Sequence, residues 1–164
     1  MYKTFKYSEP EQTIESFPIA IVASTFFRTD VSEELIRGAK SQLTARGFKD
    51  EDVCWTEVPG VFEIPYIARL LAKTHRYEAM ITLGAISIDE AGHFDWAPAQ
   101  MVQECHDISK EYNIPVIFGI VPSVTREQAW EVLGTGKCGH RGKNSVDYAI
   151  IQRNLAKQIQ SGHS

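Results

Sequence analysis

Cysteine is scarce in this chain. Three occur in 164 residues, Cys54, Cys105 and Cys138; they are odd in number, widely spaced and in no Cys-x-x-Cys pair. That argues against a disulfide framework and for a reducing compartment. Long apolar runs are lacking too, since nothing approaches the ~18 residues that span a bilayer. Residues 1–10 have no apolar core of a secretory signal, so a cytoplasmic location is expected. Positive charge is not in excess: 17 Lys and Arg face 21 Asp and Glu, a net charge of −4. No basic field of the kind a nucleic-acid binder uses is present. No Gly-x-Gly-x-x-Gly follows the first apolar run, and the glycine-rich segment near residue 140 lacks P-loop spacing. No Gly-x-Ser-x-Gly elbow offers a serine nucleophile. His93, Asp95, Cys105 and His106 are close in sequence but make no recognisable metal-ligand pattern.

What is present is an ordinary soluble composition, 43% hydrophobic and 23% charged, over a length that suits one domain. That domain is expected to span residues 1–164, with residues 1–17 an N-terminal arm or edge strand. Ile19–Ala23 is a continuous apolar run, the mark of a strand buried on both faces. A helix capped by Asp30 or Ser32 follows to about Ala45, with Leu35, Ile36, Ala39 and Leu43 on one side; Gly47 ends it. Val53–Val58 reads as a second strand. A helix from about Glu63 carries Ile64, Ile67, Ala68, Leu71 and Ala72 inward, with Pro65 harmless in its first turn. The third strand is expected at 78–84 and a helix at 94–112. The fourth strand is expected at 114–121, with a further helix through Leu133. A glycine-rich basic loop then covers 134–145, and the last helix starts near Val146. Strands and helices alternate at ~30-residue intervals, which predicts βαβ units. The fold class expected is a flavodoxin-like three-layer α/β/α sandwich on a four-stranded parallel sheet, with an optional N-terminal strand.

In such a sheet the carboxyl ends of the strands share one edge, where ligands bind. That edge collects Phe26, Phe27 and Arg28, then Pro59–Glu63, then Ala85–His93, then Pro122–Thr125. His93 stands out as the side chain suited to proton transfer near neutral pH; a helix-capping role is the alternative. Phe26 and Phe27 fit a ring-binding wall or the ordinary core. Glu63 fits a substrate contact or a carboxylate drawn to a helix N-terminus. Arg126 and Glu127 read as solvated charges. Lys137, His140, Arg141 and Lys143 form a basic cluster able to hold an anion, or simply an exposed loop. Cys138, in that loop, is not read as a catalytic thiol.

Together these pieces resemble the lumazine synthase family. Val58-Pro-Gly-Val-Phe-Glu-Ile-Pro65 is similar to that family's Val-Pro-Gly-Ala-Phe-Glu-Ile-Pro. Tyr77–Ile86, followed by His93-Phe-Asp-Trp96, parallels its third strand and the His-Phe/Tyr-Asp/Glu-Tyr beyond. Ile114–Ile120 and Glu127–Ala129 match its fourth strand and following helix. Gly134-Thr135 and Gly139-His-Arg-Gly142 parallel Gly-Thr-Lys-Ala-Gly-Asn-Lys-Gly. The resemblance covers about residues 19–155 in one register.

The resemblance implies condensation of 5-amino-6-(D-ribitylamino)uracil with 3,4-dihydroxy-2-butanone 4-phosphate to 6,7-dimethyl-8-ribityllumazine, with no metal or organic cofactor. It implies that Phe26 or Phe27 stacks on the pyrimidine; one inserted residue leaves the choice open. Val61, Phe62 and Glu63 meet the ribityl chain. Main chain at Ala85, Ile86 and Ser87 reads the pyrimidine edge, His93 shuttles protons, and Phe118 arrives from a neighbouring subunit. Arg141 is a further substrate contact.

The departures are clustered. The family's phosphate turn carries Gly-Glu/Ala-Thr, where this chain has Asp89, Glu90 and Ala91. The family's phosphate-binding arginine falls at Val132. A carboxylate beside a phosphate in a partly desolvated pocket repels it by several kcal/mol, unless Lys137, Arg141 or Lys143 reaches in. Three readings follow: a lumazine synthase with relocated cations, a paralogue that binds a lumazine- or flavin-like heterocycle without condensing it, or an enzyme that takes a non-phosphorylated carbonyl compound. A homo-oligomer is expected, a pentamer or decamer, because Lys143-Asn-Ser145 resembles an insertion found in pentameric variants. No nucleic-acid or membrane partner is expected.

Overall fold

The computed structural model describes residues 3–25, 30–88, 95–134, 136–137 and 139–162. Four parallel strands form one sheet: β1 (Ile19–Ser24), β2 (Val53–Val58), β3 (Ala79–Ser87) and β4 (Val116–Ser123), in the order β2-β1-β3-β4. Helices α1 (Asp30–Ala45), α2 (Ile64–Lys73), α3 (Ala97–Tyr112), α4 (Arg126–Glu131) and α5 (Arg141–Ser161) connect and cover it. This is the expected flavodoxin-like α/β sandwich.

The alternation of side chains along each strand decides which helices go where. Ile19, Ile21 and Ala23 of β1, with Ile81 and Leu83 of β3, face a core shared with Leu35 and Ala39 of α1 and Val146, Ala149 and Ile150 of α5. Ala20 and Val22 of β1, Met80 and Ile86 of β3 and Ile120 of β4 face the other way, onto Ile64 and Ala68 of α2 and Met101 and Ile108 of α3. Both faces of β1 are therefore dry, as its unbroken apolar run requires. No described helix is long and apolar enough to cross a membrane.

α1 has the bounds expected of it. Gly47, at φ +82°, takes the left-handed conformation that closes the helix, and Phe48 N–H donates to Leu43 O at 3.0 Å. Other boundaries move. β3 runs to Ser87 instead of residue 84, because it pairs with β4 through Ala85↔Val121, Ile86↔Pro122 and Ser87↔Ser123. β4 correspondingly spans 116–123. It is an edge strand, which lets Pro122 sit inside it with no ladder bond lost on a second side. α3 begins at Ala97, after a turn at Asp95 and Trp96, with Pro98 in its first turn. α4 ends at Glu131, short of Leu133, which instead bridges to His140.

The largest correction is at α5, which starts at Arg141 and absorbs Arg141–Ser145 into its first turns. Lys143-Asn-Ser145 is thus helix and not loop. The cause is packing. Gly142 is buried where a Cβ would lie 2.2 Å from Leu35 O and 3.0 Å from Ala39 N. α1 and α5 touch main chain to main chain, and only glycine admits that.

Among the described residues, the segment before β1 forms no strand. Residues 10–17 are tied to the end of α1. Ile14 N–H donates to Arg46 O at 2.9 Å, and the Arg46 guanidinium reaches Glu11 O at 2.9 Å while pairing with Asp147 at 2.8 Å. Phe17 is buried under Arg153, whose guanidinium carbon lies 4.4 Å from the ring centre.

Candidate active site

The strand order reverses between β1 and β3, and the carboxyl ends of these two strands define the crevice where such sheets bind ligands. Gly84 makes the crevice close-walled: a Cβ there would strike Ser24 Oγ at 2.4 Å and Val61 Cγ1 at 2.7 Å. Ser24 is buried here although polar. β1 pairs with β3 only as far as Ala23↔Leu83, so Gly84–Ser87 run past the last β1 pair. Met80 and Ile88 both donate N–H groups toward the β4 side, to Pro115 O and Ser123 O. By alternation, Ala85 and Ser87 aim their main-chain groups at the β1 side, into the crevice. Ile86 is buried, Ala85 half-buried and Ser87 exposed.

β2 ends in Pro59-Gly60, and a single 3-10 turn, Val61–Glu63, leads into α2. Glu63 Oε2 accepts the Gly60 N–H at 2.9 Å. The carboxylate is thus held by the turn it belongs to, while the residue stays exposed. Its capping role is real, and it presents an oriented anion at the same time. Val61 points inward and is buried; Phe62 points outward, 46% exposed. Its ring stacks on Trp96, centroids 5.9 Å apart and planes at 24°. Sequence reasoning passed over Trp96, although it stands where the resembling motif has tyrosine.

The basic cluster divides. His140 is the N-cap of α5: Nδ1 accepts the Gly142 N–H at 3.1 Å, which leaves Nε2 to donate to Glu34 Oε1, also at 3.1 Å. Its ring lies against Gly38, where a Cβ would come within 2.1 Å. His140 is therefore a helix cap, engaged at both ring nitrogens. Lys137 and Lys143 are exposed. Arg141 follows Val132 closely, its N–H donating to Val132 O at 2.7 Å. The two line a cleft of about 90 Å³ with Asn144 and Tyr148. Among the described residues, Arg141 is the basic side chain that lines this cleft with Val132.

Glu34 is pulled below the usual carboxylate range, first by its bond to Arg37 and then by His140, against the opposing effect of burial. A carboxyl depressed on folding stabilises above its unfolded pKa of ~4.3, and that contribution is lost as pH falls through the lower folded value. Glu34→Gln should lower the urea midpoint at pH 7 by an amount worth under about 1 kcal/mol, since Arg37 is largely in solvent. The gap from the parent should narrow as the pH falls below about 4.3. Urea titrations over a descending pH series check this.

Phe26, Phe27, Arg28, Asp89, Glu90, Ala91, His93 and Cys138 lie outside the described residues. Of the remaining candidates, Val61 and Ile86 belong to the core on the α2/α3 face, and Phe118 packs partly against it. Ala85 and Val132 pack against the α1/α5 face. Phe118 sits on β4, at the opposite edge of the sheet from β2. The chain therefore brings Val61–Glu63 and Ala85–Ser87 to one crevice; Phe118 lies on the outer strand β4, and Val132 and Arg141 line their own cleft with Asn144 and Tyr148.

A parallel sheet whose order reverses between β1 and β3 defines an α/β protein of the class that takes small molecules at the strands' carboxyl ends. More particularly, the chain belongs to the 6,7-dimethyl-8-ribityllumazine synthase family, whose sequence model matches residues 16–157. Relatives named 6,7-dimethyl-8-ribityllumazine synthase, from Coxiella burnetii strains CbuG_Q212 and RSA 493 / Nine Mile phase I, are 36% identical to it over 148 residues. The match spans 90% of this chain and 97% of each relative.

Proposed function

We propose that this chain is a transferase of riboflavin biosynthesis, acting in the cytoplasm. It condenses 5-amino-6-(D-ribitylamino)uracil with 3,4-dihydroxy-2-butanone 4-phosphate to give 6,7-dimethyl-8-ribityllumazine. The observation that carries this reading is the Val61–Glu63 turn at the β1/β3 crevice, with its carboxylate oriented by the Gly60 N–H. A held carboxylate accepts hydroxyl hydrogen bonds from a polyol without first having to be ordered. Val61 and Phe62 border the ribityl chain, and Glu63 binds its hydroxyls. The main chain of Ala85 and Ser87 pairs with the pyrimidine edge, while that of Ile86 turns to β4, and Phe26 or Phe27 stacks on the ring.

The primary amine of the pyrimidine adds to the ketone carbonyl and water leaves, forming an imine. Loss of a carbon-bound proton then expels phosphate. The enol left behind tautomerises to a new carbonyl at the former hydroxyl-bearing carbon; the ribityl-bearing nitrogen attacks it, and a second water departs as the ring closes. Each step moves a proton, the role assigned to His93. No step calls for a redox or metal cofactor.

On this reading Phe118, from the outer strand β4, and Arg141 serve the crevice of a neighbouring copy in a pentamer or decamer. Val132 favours a second reading. It is half-buried against the α1/α5 core, so the position carries no charge, and Asp89-Glu90 add negative charge nearby in sequence. A paralogue that binds a lumazine- or flavin-like heterocycle without condensing it, or that uses a non-phosphorylated carbonyl compound, would need no phosphate cation.

Mixing the purified protein with both substrates separates the readings. Lumazine formation, followed by its absorbance, is the expected result. Binding of the lumazine with no turnover would leave the paralogue.

A further inference from the structure

The structure points to a positioning role for Trp96 that neither its sequence context nor its helix-cap location suggests. We infer that the indole of Trp96 braces Phe62 and so fixes the ribityl-binding turn Val61–Glu63 against the start of α3. The inference rests on the function proposed above and goes one residue beyond it.

The local physics favours a positional device over ordinary core packing. Val61–Glu63 is one 3-10 turn between an edge strand and a ten-residue helix, with few main-chain bonds to hold it. Inside the protein it is anchored by Val61, which meets the Gly84 position. Outside, Phe62 stacks on the Trp96 face, centroids 5.9 Å apart and planes at 24°. Both rings remain open, Phe62 at 46% and Trp96 at 53%. Two aromatic side chains that gain little from burial, yet lie nearly parallel, are arranged for geometry more than for stability. Trp96 is also the residue just before Ala97, where α3 begins, and Ala97 is fully buried. The brace therefore stands on a fixed base.

The consequence is a selective one. Removing the indole takes its stacked ring from Phe62 and loosens the turn that carries Glu63, while the core side of the turn stays packed. Binding of the ribityl compound should weaken and binding of the phosphorylated ketone should not. An aromatic contact of this kind affects affinity by roughly three- to tenfold.

The test compares Trp96→Leu, which removes the stacked ring, with Trp96→Phe, which keeps one. The probes are 6,7-dimethyl-8-ribityllumazine, read as a dissociation constant by fluorescence titration, and the two substrates in steady state. Trp96→Leu should raise the lumazine dissociation constant and the KM for the pyrimidine roughly three- to tenfold. The KM for the ketone phosphate and the thermal midpoint should stay near the parent, and Trp96→Phe should restore most of the loss. Equal lumazine affinity in parent and Trp96→Leu would overturn the inference, as would a general loss with a lowered midpoint that Trp96→Phe does not rescue. A parent protein that binds lumazine without making it would overturn the proposed reaction instead, and the dissociation constants would still decide the role of Trp96.

Discussion

Gly142→Ala is expected to lower the thermal midpoint by roughly 4–8 °C, a loss of about 2 kcal/mol for a chain of this size. Two effects oppose each other. Alanine in a helix gains up to about 1 kcal/mol over glycine. The added methyl, however, would stand 2.2 Å from Leu35 O and 3.0 Å from Ala39 N, both main-chain atoms of α1. Main chain cannot rotate out of the way as a side-chain tip can, so α1 and α5 must separate. Overpacking of this kind costs about 3 kcal/mol at its upper end, and the steric term wins. The shift also strains the His140 cap, which bonds the Gly142 N–H and Glu34 across the same contact. Lys143→Ala, one residue on and exposed, should leave the midpoint within about 1 °C. A scanning-calorimetry comparison of the two variants checks the argument. Equal midpoints would mean that the helices do not meet at Gly142.

Arg141→Ala is expected to raise the KM for 3,4-dihydroxy-2-butanone 4-phosphate by about ten- to a hundredfold, with the pyrimidine KM little changed. The estimate takes one charged hydrogen bond to a phosphate as worth about 1.5–3 kcal/mol. Val132 supplies no cation, His140 is engaged as a cap, and Lys137 and Lys143 point into solvent from exposed positions. Arg141 shares the cleft with Val132, so it is the side chain suited to stand in for the missing charge. Introducing Val132→Arg into the Arg141→Ala protein should recover much of the loss, since it returns a guanidinium to the same cleft. Steady-state kinetics with each substrate varied in turn provides the check. An unchanged ketone KM in Arg141→Ala would mean that the carbonyl substrate is not held by this cleft.

The elements that were legible in the sequence are those whose cause is local. α1 is written by its apolar spacing, an acidic start and Gly47. β1 is written by five apolar residues in a row. The elements misplaced at their ends have causes that are not local. Gly84–Ser87 looks like a small-residue turn, and it becomes strand because β4 lies alongside to pair with it. Gly139–Ser145 has the composition of a loop, yet α5 begins inside it because Gly142 lets two helices touch. The candidate site divides in the same way. The Val58–Pro65 motif announced the turn and Glu63, whose cap bond then fixes its orientation. The stacking of Phe62 on Trp96 joins residues more than thirty positions apart and has no periodicity to betray it. The engagement of His140 with Glu34 is equally long-range, so a cluster of four basic residues resolved into one cap, two exposed lysines and one arginine in a cleft.

One measurement reaches the centre of the account. The purified protein is mixed with 5-amino-6-(D-ribitylamino)uracil and 3,4-dihydroxy-2-butanone 4-phosphate, and lumazine absorbance is followed alongside released inorganic phosphate. The account predicts that both appear together, one phosphate for each lumazine, with turnover saturating in both substrates. Absence of lumazine above the uncatalysed background, in a protein that still binds the lumazine, would contradict it.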